Sequence, residues 1–254
     1  MADEQHHAPG DGPHRAPHDD GPRQPARHRP GHRGTGPGPI TPDGCAVEMY
    51  ERLPVRDEPQ VIAGAVPPGA GLLELGCGAG RMTHPLLELG FRVTAVDESP
   101  EMLERVRGAR TVRSPIERLD LGERFDVVLL ASFLIHTGSP EVRRGLLETC
   151  RRHVAPDGCV LIQREGEDWH TDVPRERPLG NGGLVRVASA TPLGDGVNEV
   201  HVEYEFPDAR WTQTFRSRPM DRPEFERALA AGGLVVEDYL TEDGTWVRAR
   251  PVAG

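Results

Sequence analysis

Apolar runs of strand length alternate with amphipathic stretches of helical period through the middle of the chain. The predicted strands lie at 71–75, 91–96, 111–113, 125–131 and 158–163, and the predicted helices at 46–52, 59–66, 81–90, 100–108 and 140–154. Strands that alternate with helices of this length favour right-handed βαβ units and a parallel sheet covered on both faces. The pattern therefore predicts an α/β domain with a doubly wound, mostly parallel sheet.

The alternation stops after residue 164. Three stretches of strand-like pattern follow at 183–190, 198–206 and 210–218, and after them come a predicted helix at 221–231 and two strands at 234–240 and 245–250. Consecutive strands without helices between them predict a small antiparallel insertion at about 165–219. The last two strands, joined by a tight turn, predict a hairpin that returns to the main sheet.

The first 40 residues differ from the rest in composition. They are rich in proline, glycine, histidine and arginine and contain almost no large apolar side chain. Such a segment cannot bury enough apolar surface to offset its conformational entropy. We therefore expect a disordered tail at 1–40 and one folded domain at 41–254.

The charged residues exclude several kinds of chemistry. The net charge is −10, and all 30 basic residues are arginine. The absence of lysine points to a GC-rich bacterial genome and excludes Schiff-base catalysis and the phosphate-binding lysine of a P-loop. An acidic surface repels phosphate backbones, so no nucleic-acid partner is expected.

The cysteines and the longest apolar run bear on the compartment. The four cysteines show no CxxC or metal-ligand spacing, so we expect free thiols and no metal site. The chain start has no signal-like apolar region, and the apolar run at 127–135 is much shorter than the ~20 residues of a membrane-spanning helix. These features predict a cytoplasmic protein without membrane contact, and leave its oligomeric state open.

A glycine-rich loop is the most informative motif. Glu74 in the first predicted strand is followed by Gly76, Gly78 and Gly80 and then by a helix, so that backbone N–H groups can approach a ligand closely. Asp97 ends the next strand, where a carboxylate can accept both hydroxyls of a ribose. Either feature alone is weak evidence, but together they favour a nucleotide-like ligand over a solvated strand end.

With these motifs in order, residues 45–165 resemble the class I S-adenosylmethionine-dependent methyltransferases. The resemblance implies a Rossmann-like methyltransferase fold with a seven-stranded sheet, S-adenosylmethionine as the cofactor, and a lid over the acceptor pocket formed by the insertion. In that family the glycine loop takes the methionine part, the acid after the second strand binds the ribose, and the segment matching 114–117 packs against adenine. Because Ser114 replaces the usual carboxylate there, adenine recognition falls to Glu117 or to backbone groups.

The resemblance implies a set of cofactor-contacting residues along the carboxyl ends of the strands. They are Glu74, Gly76, Cys77, Gly78, Gly80, Asp97, Glu98, Met102, Pro115, Ile116, Glu117 and Ala131. Tyr50 is a further candidate, because it precedes the first strand and can fold over the carboxylate end of the cofactor. Its alternative interpretation is a contact within a helix.

Two histidines are candidate catalytic bases for O- or N-methylation of a small molecule. Histidine titrates near neutral pH, and a base is needed only when the acceptor starts protonated. His136 lies five residues beyond Ala131, near the expected position of the sulfonium, and His170 follows the fifth strand in the loop beside Trp169. A structural role is an open alternative for both histidines.

Three other functions compete with this interpretation. A nicotinamide-dependent oxidoreductase also needs a glycine loop, but Arg81 stands where its fingerprint has a third glycine. A nucleic-acid methyltransferase that acts on base amino groups has an Asn/Asp-Pro-Pro-aromatic run where this chain has 131–134. A non-catalytic cofactor-binding or scaffold protein of the same fold remains the third alternative.

Overall fold

The computed structural model describes residues 28–252. The elements in chain order are β1 (Arg33–Thr35), α1 (Val47–Arg52), α2 (Glu58–Ala65), β2 (Gly71–Leu75), α3 (Thr83–Glu88), β3 (Arg92–Asp97), α4 (Pro100–Leu103), β4 (Arg110–Arg113), β5 (Phe125–Leu130), α5 (Pro140–His153), β6 (Val154–Gln163), β7 (Arg175–Pro178), β8 (Leu184–Gly194), β9 (Val197–Phe206), β10 (Ala209–Ser217), α6 (Arg222–Ala231), β11 (Leu234–Tyr239) and β12 (Trp246–Pro251). Short 3₁₀ turns follow β4 and β5.

The larger sheet has seven strands in the order β11-β12-β6-β5-β2-β3-β4. β4, β3, β2, β5 and β6 run parallel to one another, and β12 enters antiparallel between β6 and β11. This arrangement confirms the predicted doubly wound fold. The crossover between β2 and β5 places their carboxyl ends at a topological switch point, where open α/β sheets bind ligands.

The central strands are apolar on both sides because helices cover both faces of the sheet. In β2, Leu73 and Leu75 join the core that includes α5 and α6, whereas Leu72 joins the core on the face of α2 and α3. Successive side chains of a strand point to opposite faces, so a continuous apolar run serves two cores at once. The same run fixes the position from which the glycine loop leaves the sheet.

The smaller sheet is antiparallel, with the order β1-β10-β9-β8-β7. Its three central strands confirm the predicted insertion, and the structure adds a strand at each edge. The sequence predicts disorder for the segment that contains β1. The strand nevertheless forms, because pairing with β10 supplies the partner that so polar a segment cannot provide alone. The rest of that predicted tail, residues 1–27, lies outside the described residues.

The smaller sheet is joined to the larger one just beyond β5. The backbone N–H of Gly138 donates to the carbonyl of Arg216 at 3.1 Å, and the N–H of Arg218 donates to the carbonyl of His136 at 2.7 Å. The insertion therefore lies at the carboxyl ends of the parallel strands. This position is the one expected of a lid.

Two predicted helices are shorter in the structure. α4 ends at Leu103 rather than at 108, and α3 spans six residues of the predicted ten. Ser99 caps α4 by accepting the N–H of Met102.

Within 28–252, no helix combines the length and apolarity that crossing a membrane needs. All four cysteines are buried and free.

Candidate active site

The glycine loop between β2 and α3 has a backbone that only glycine adopts easily. Gly76, Gly78 and Gly80 have φ values of 74°, 54° and 87°. The N–H groups of Gly76 and Cys77 both donate to the carbonyl of Val96 at 2.9 Å, which fixes the loop to the end of β3. The loop is thus held in one conformation before any ligand arrives.

Asp97 organises this loop through both carboxylate oxygens. Oδ2 accepts the N–H of Gly78 and Oδ1 accepts the N–H of Ser99, each at 2.9 Å. Burial raises the pKa of Asp97 to about 6, although these two hydrogen bonds oppose the shift. A carboxylate has about four acceptor sites, so each oxygen can accept one more hydrogen bond.

The region over the glycine loop, here called the cleft, is bounded by Met102 and Tyr50. A Cβ placed on Gly78 would come no closer than 3.9 Å to another atom, and the nearest atoms are Met102 Sδ and Tyr50 Cδ1. Met102 is buried, and Tyr50 comes from α1. The residues present therefore fit an adenosyl group: a bare backbone below, an apolar wall, and Asp97 beside it.

Tyr50 is held in a buried polar cluster that the sequence did not indicate. Its hydroxyl lies 3.2 Å from Cys45 Sγ, which also accepts a hydrogen bond from Gln213 Nε2 at 3.1 Å. Burial raises the pKa of Tyr50 well above its usual value, so its hydroxyl is protonated at neutral pH. Gln213 belongs to β10, and the cluster therefore connects the wall of the cleft to the smaller sheet.

Glu74 and Arg81 make internal contacts. Glu74 is buried and accepts a hydrogen bond from Thr83 Oγ1 at 2.6 Å, and burial raises its pKa to about 7. Arg81 pairs with Glu58 at 2.9 Å, which joins the start of α3 to α2. The pairing gives Arg81 a structural role at this position.

The far end of the cleft contains two carboxylates and an unexpected arginine. Glu98 follows β3, and Glu117 lies in the 3₁₀ turn after β4 with Pro115 and Ile116 beside it. Arg29 Nε lies 3.0 Å from Glu98 Oε1, and its Nη2 lies 3.2 Å from Glu117 Oε1. No sequence motif signalled Arg29, because it lies in the segment predicted to be disordered.

The backbone beyond β5 is strained. Ala131 is buried, and the next two residues, Ser132 and Phe133, have φ values of 54° and 61°. Left-handed conformations in non-glycine residues cost about 1–2 kcal/mol each and concentrate at functional sites. The N–H of Ser132 is held by Gln163 Oε1 at 2.9 Å, at the end of the neighbouring strand β6.

His136 is buried with both ring nitrogens engaged by backbone groups. Nε2 accepts the N–H of Glu165 at 3.1 Å, so Nδ1 carries the proton and lies 3.0 Å from the carbonyl of Arg218. Burial lowers the pKa of His136 despite the nearby Glu165 carboxylate. The ring therefore joins β6 to the end of β10 as a neutral group.

His170 is bound by side chains instead. Its Nε2 lies 2.8 Å from Glu165 Oε2, and its Nδ1 lies 3.0 Å from Asn198 Nδ2. Since an amide nitrogen only donates, Nδ1 is the acceptor and Nε2–H donates to the carboxylate. Glu165, which also accepts from Ser217 Oγ at 2.9 Å, was not singled out by the sequence because it stands in an ordinary charged run.

Three aromatic rings meet beside His170. The ring centroids of Phe133 and Phe215 each lie 6.3 Å from that of Trp169, which contacts the His170 ring edge-on at 4.9 Å. The rings come from the loop after β5, the loop after β6 and strand β10. They form a half-buried apolar wall between the two sheets.

Comparisons with known proteins agree with this geometry. Residues 73–160 match a family model described as a methyltransferase domain. A ubiquinone biosynthesis O-methyltransferase of Caulobacter sp. (strain K31) is 32% identical over 108 residues, which span 37% of this chain and 40% of that protein. A cypemycin N-terminal methyltransferase of Streptomyces sp. is 29% identical over 180 residues, which span 59% of this chain and 68% of that protein.

Structural similarity extends over more of the chain. A crystal structure of an S-adenosylmethionine-dependent methyltransferase from Clostridium acetobutylicum ATCC 824 superposes with a TM-score of 0.65 at 14% identity, covering 81% of this chain and 95% of that one. At this identity the similarity establishes the fold alone. The chain covers only about two fifths of the ubiquinone methyltransferase it matches.

Proposed function

We propose that this chain is a class I S-adenosylmethionine-dependent methyltransferase, and that it transfers a methyl group from that cofactor to an oxygen or nitrogen of a small molecule. One observation carries the proposal: the glycine loop and Asp97 form a cradle in which the bare backbone of Gly78 faces Met102 and Tyr50, and the Asp97 carboxylate beside it has free acceptor sites. The carboxyl ends of β2, β3 and β5 are where this fold binds ligands.

The cofactor would lie along the strand ends. The backbone of Gly76–Gly80 would contact the methionine part, Asp97 would accept the ribose hydroxyls, and Met102 would pack against the adenosine. Glu74 sits under the loop, held by Thr83, and supports the loop's shape. Tyr50 would cover the cleft from α1.

The positioning of the acceptor relative to the methyl group of the cofactor accounts for most of the catalysis. When bound, S-adenosylmethionine supplies an electrophilic methyl carbon on a sulfonium, which an acceptor attacks in line. The strained turn at Ser132 and Phe133 and the aromatic wall around Trp169 would position an acceptor from the side of the smaller sheet. The lid would exclude water from the same space.

His170 is the better placed of the two candidate bases. Glu165 receives its Nε2–H and would stabilise the protonated ring, as a carboxylate does in a catalytic triad. Among residues 28–252, its Nδ1 is bonded only to the amide of Asn198, a half-buried side chain that would rotate away to admit an acceptor. His136 has no nitrogen free for proton transfer, so we assign it a structural role at the base of the lid.

Substituting the two histidines should separate these roles. We expect His170→Asn to lower kcat by about 100-fold for an acceptor that starts protonated, and to leave the KM for S-adenosylmethionine almost unchanged. His136→Asn should instead lower the free energy of unfolding by about 1–3 kcal/mol, because two buried backbone groups lose their partner. Steady-state kinetics and thermal unfolding of both variants check this; equal kinetic losses in both would contradict the division.

The affinity for the cofactor should depend on pH through Asp97. The ionised carboxylate is the better acceptor of ribose hydroxyls, so binding should lower its pKa below the value of about 6 in the free protein. Affinity is then full above pH 7 and falls by up to about tenfold per pH unit below pH 6. Calorimetric titrations with S-adenosylhomocysteine at pH 5, 6 and 7.5 measure this, and Asp97→Asn should bind more weakly without the pH dependence.

Calorimetric titration of the wild-type protein with S-adenosylhomocysteine and with NAD separates the proposed function from a nicotinamide-dependent one. We expect micromolar binding of the first ligand and none of the second. Preference for NAD would favour the oxidoreductase. Binding of S-adenosylhomocysteine, together with no methyl transfer from S-adenosylmethionine to any amine or hydroxyl acceptor, would favour the non-catalytic alternative.

A further inference from the structure

Residues 28–46, here called the N-terminal strap, are built into the fold at several points. β1 pairs with β10, and the indole N–H of Trp211 donates to the carbonyl of Pro37 at 2.8 Å. The N–H of Val47 donates to the carbonyl of Pro39 at 3.0 Å, which fixes the strap to the start of α1. The strap is therefore anchored independently of the cleft.

The strap is also tightly closed on itself. The N–H of Arg29 donates to the carbonyl of Pro42 at 2.7 Å, so its first and last parts lie side by side. A Cβ on Gly34 would collide with the carbonyl oxygen of Gly44. This closure determines where Arg29 can reach.

Arg29 reaches the two carboxylates at the far end of the cleft. Its Nε and Nη2 lie 3.0 and 3.1 Å from the two oxygens of Glu98, a bidentate pairing, and Nη2 also lies 3.2 Å from Glu117 Oε1. The three side chains are each only about one quarter exposed. Glu98 and Glu117 follow neighbouring strands, so their charges repel each other when the arginine is absent.

Asp43 of the strap accepts a hydrogen bond from Cys45 Sγ at 3.4 Å, next to Tyr50. It lies close enough to Asp97 to contribute, after burial, to the raised pKa of that carboxyl. Burial disfavours the charge of Arg29, but the hydrogen bond to Glu98 and the negative charges of Glu98, Glu117 and Asp43 together outweigh burial and raise the pKa of Arg29. The guanidinium is therefore a permanent charge among carboxylates that the resemblance to class I methyltransferases assigns to the cofactor site.

We propose that the N-terminal strap covers the adenosine end of the cofactor cleft, and that Arg29 is a cofactor-positioning residue. By bridging Glu98 and Glu117, it holds both carboxylates in the geometry that accepts adenosine, and it slows the escape of the bound ligand. This inference rests on the proposed function. It adds a site residue that lies outside the region matched by the methyltransferase family model.

Four proteins test the inference: the wild type, Arg29→Ala, Arg29→Lys and Arg33→Ala. Arg33 is the matched control, because it lies on the same strap, is mostly exposed and pairs with Glu199 instead. We expect Arg29→Ala to raise both the Kd and the dissociation rate of S-adenosylhomocysteine by roughly tenfold, since charge-assisted bidentate pairing is lost. The Kd and the dissociation rate of Arg29→Lys should lie between those of the wild type and Arg29→Ala, because an ammonium makes no bidentate pair. Those of Arg33→Ala should match the wild type.

A second experiment tests whether the N-terminal strap covers the bound ligand. Amide hydrogen exchange of the wild type should slow across residues 30–46 when S-adenosylhomocysteine is added, and this protection should be lost in Arg29→Ala. If Arg29→Ala binds and releases the ligand like the wild type, or if the strap gains no protection, the inference is overturned and the proposed function stands. If the wild type does not bind S-adenosylhomocysteine, the result contradicts both the inference and the proposed function.

Discussion

Asp97→Ala should weaken the binding of S-adenosylhomocysteine by about two orders of magnitude. Two hydrogen bonds from ribose hydroxyls to a carboxylate are lost, each contributing about 1.5 kcal/mol or more, and every 1.4 kcal/mol changes the affinity tenfold. The N–H groups of Gly78 and Ser99 also lose their acceptor, so the loop is less well ordered before binding. Isothermal titration calorimetry at pH 7.5 measures the change.

Asp126→Ala is the matched control for this substitution. Asp126 Oδ2 also accepts a glycine N–H, that of Gly71 at 2.7 Å, but it lies at the amino end of the strands, away from the cleft. We expect this variant to bind like the wild type. If Asp97→Ala retains the wild-type affinity, the ribose does not bind at Asp97.

Gly78→Ala should also reduce cofactor affinity strongly, by roughly 10- to 100-fold. The added methyl group would reach van der Waals contact with Met102 and Tyr50, on the side of the loop where a bound cofactor would contact the backbone. The φ of 54° adds a strain of about 1–2 kcal/mol to the folded protein, which thermal unfolding measures separately from binding. The loss of affinity should therefore exceed what the loss of stability explains.

Gly64→Ala is a suitable comparison because its Cβ would meet nothing within 4 Å and it lies in α2. There the substitution should stabilise the protein by about 0.5–1 kcal/mol, since alanine loses less conformational entropy in a helix. Affinity should stay unchanged. Equal affinities for the Gly78→Ala and wild-type proteins would mean that the glycine loop does not contact the ligand.

The elements of the main sheet could be predicted from sequence because each carries a strong local signal. β2 and β5 are continuous apolar runs, and the glycines after β2 mark a turn that other residues resist. Asp97 was identifiable because its chemistry depends on its place at a strand end. At these residues the local sequence pattern alone indicates the position in the fold.

Other parts of the site depend on contacts between distant residues and gave no such signal. Arg29 and Glu98 are 69 positions apart, and β1 exists only through its pairing with β10. The polar composition around β1 favoured disorder, and tertiary pairing outweighed that preference. Similarly, Glu165 acquires its importance only because the fold brings His136 and His170 to it.

The most direct test of the central claim is a crystal structure of the protein with S-adenosylhomocysteine. We predict the ribose hydroxyls within about 3 Å of the Asp97 carboxylate, as hydrogen bonds require, with the methionine part on the backbone between Gly76 and Gly80. A ligand bound outside this cleft, or a cleft that stays empty at saturating ligand, would contradict the assignment of the glycine loop as the cofactor site.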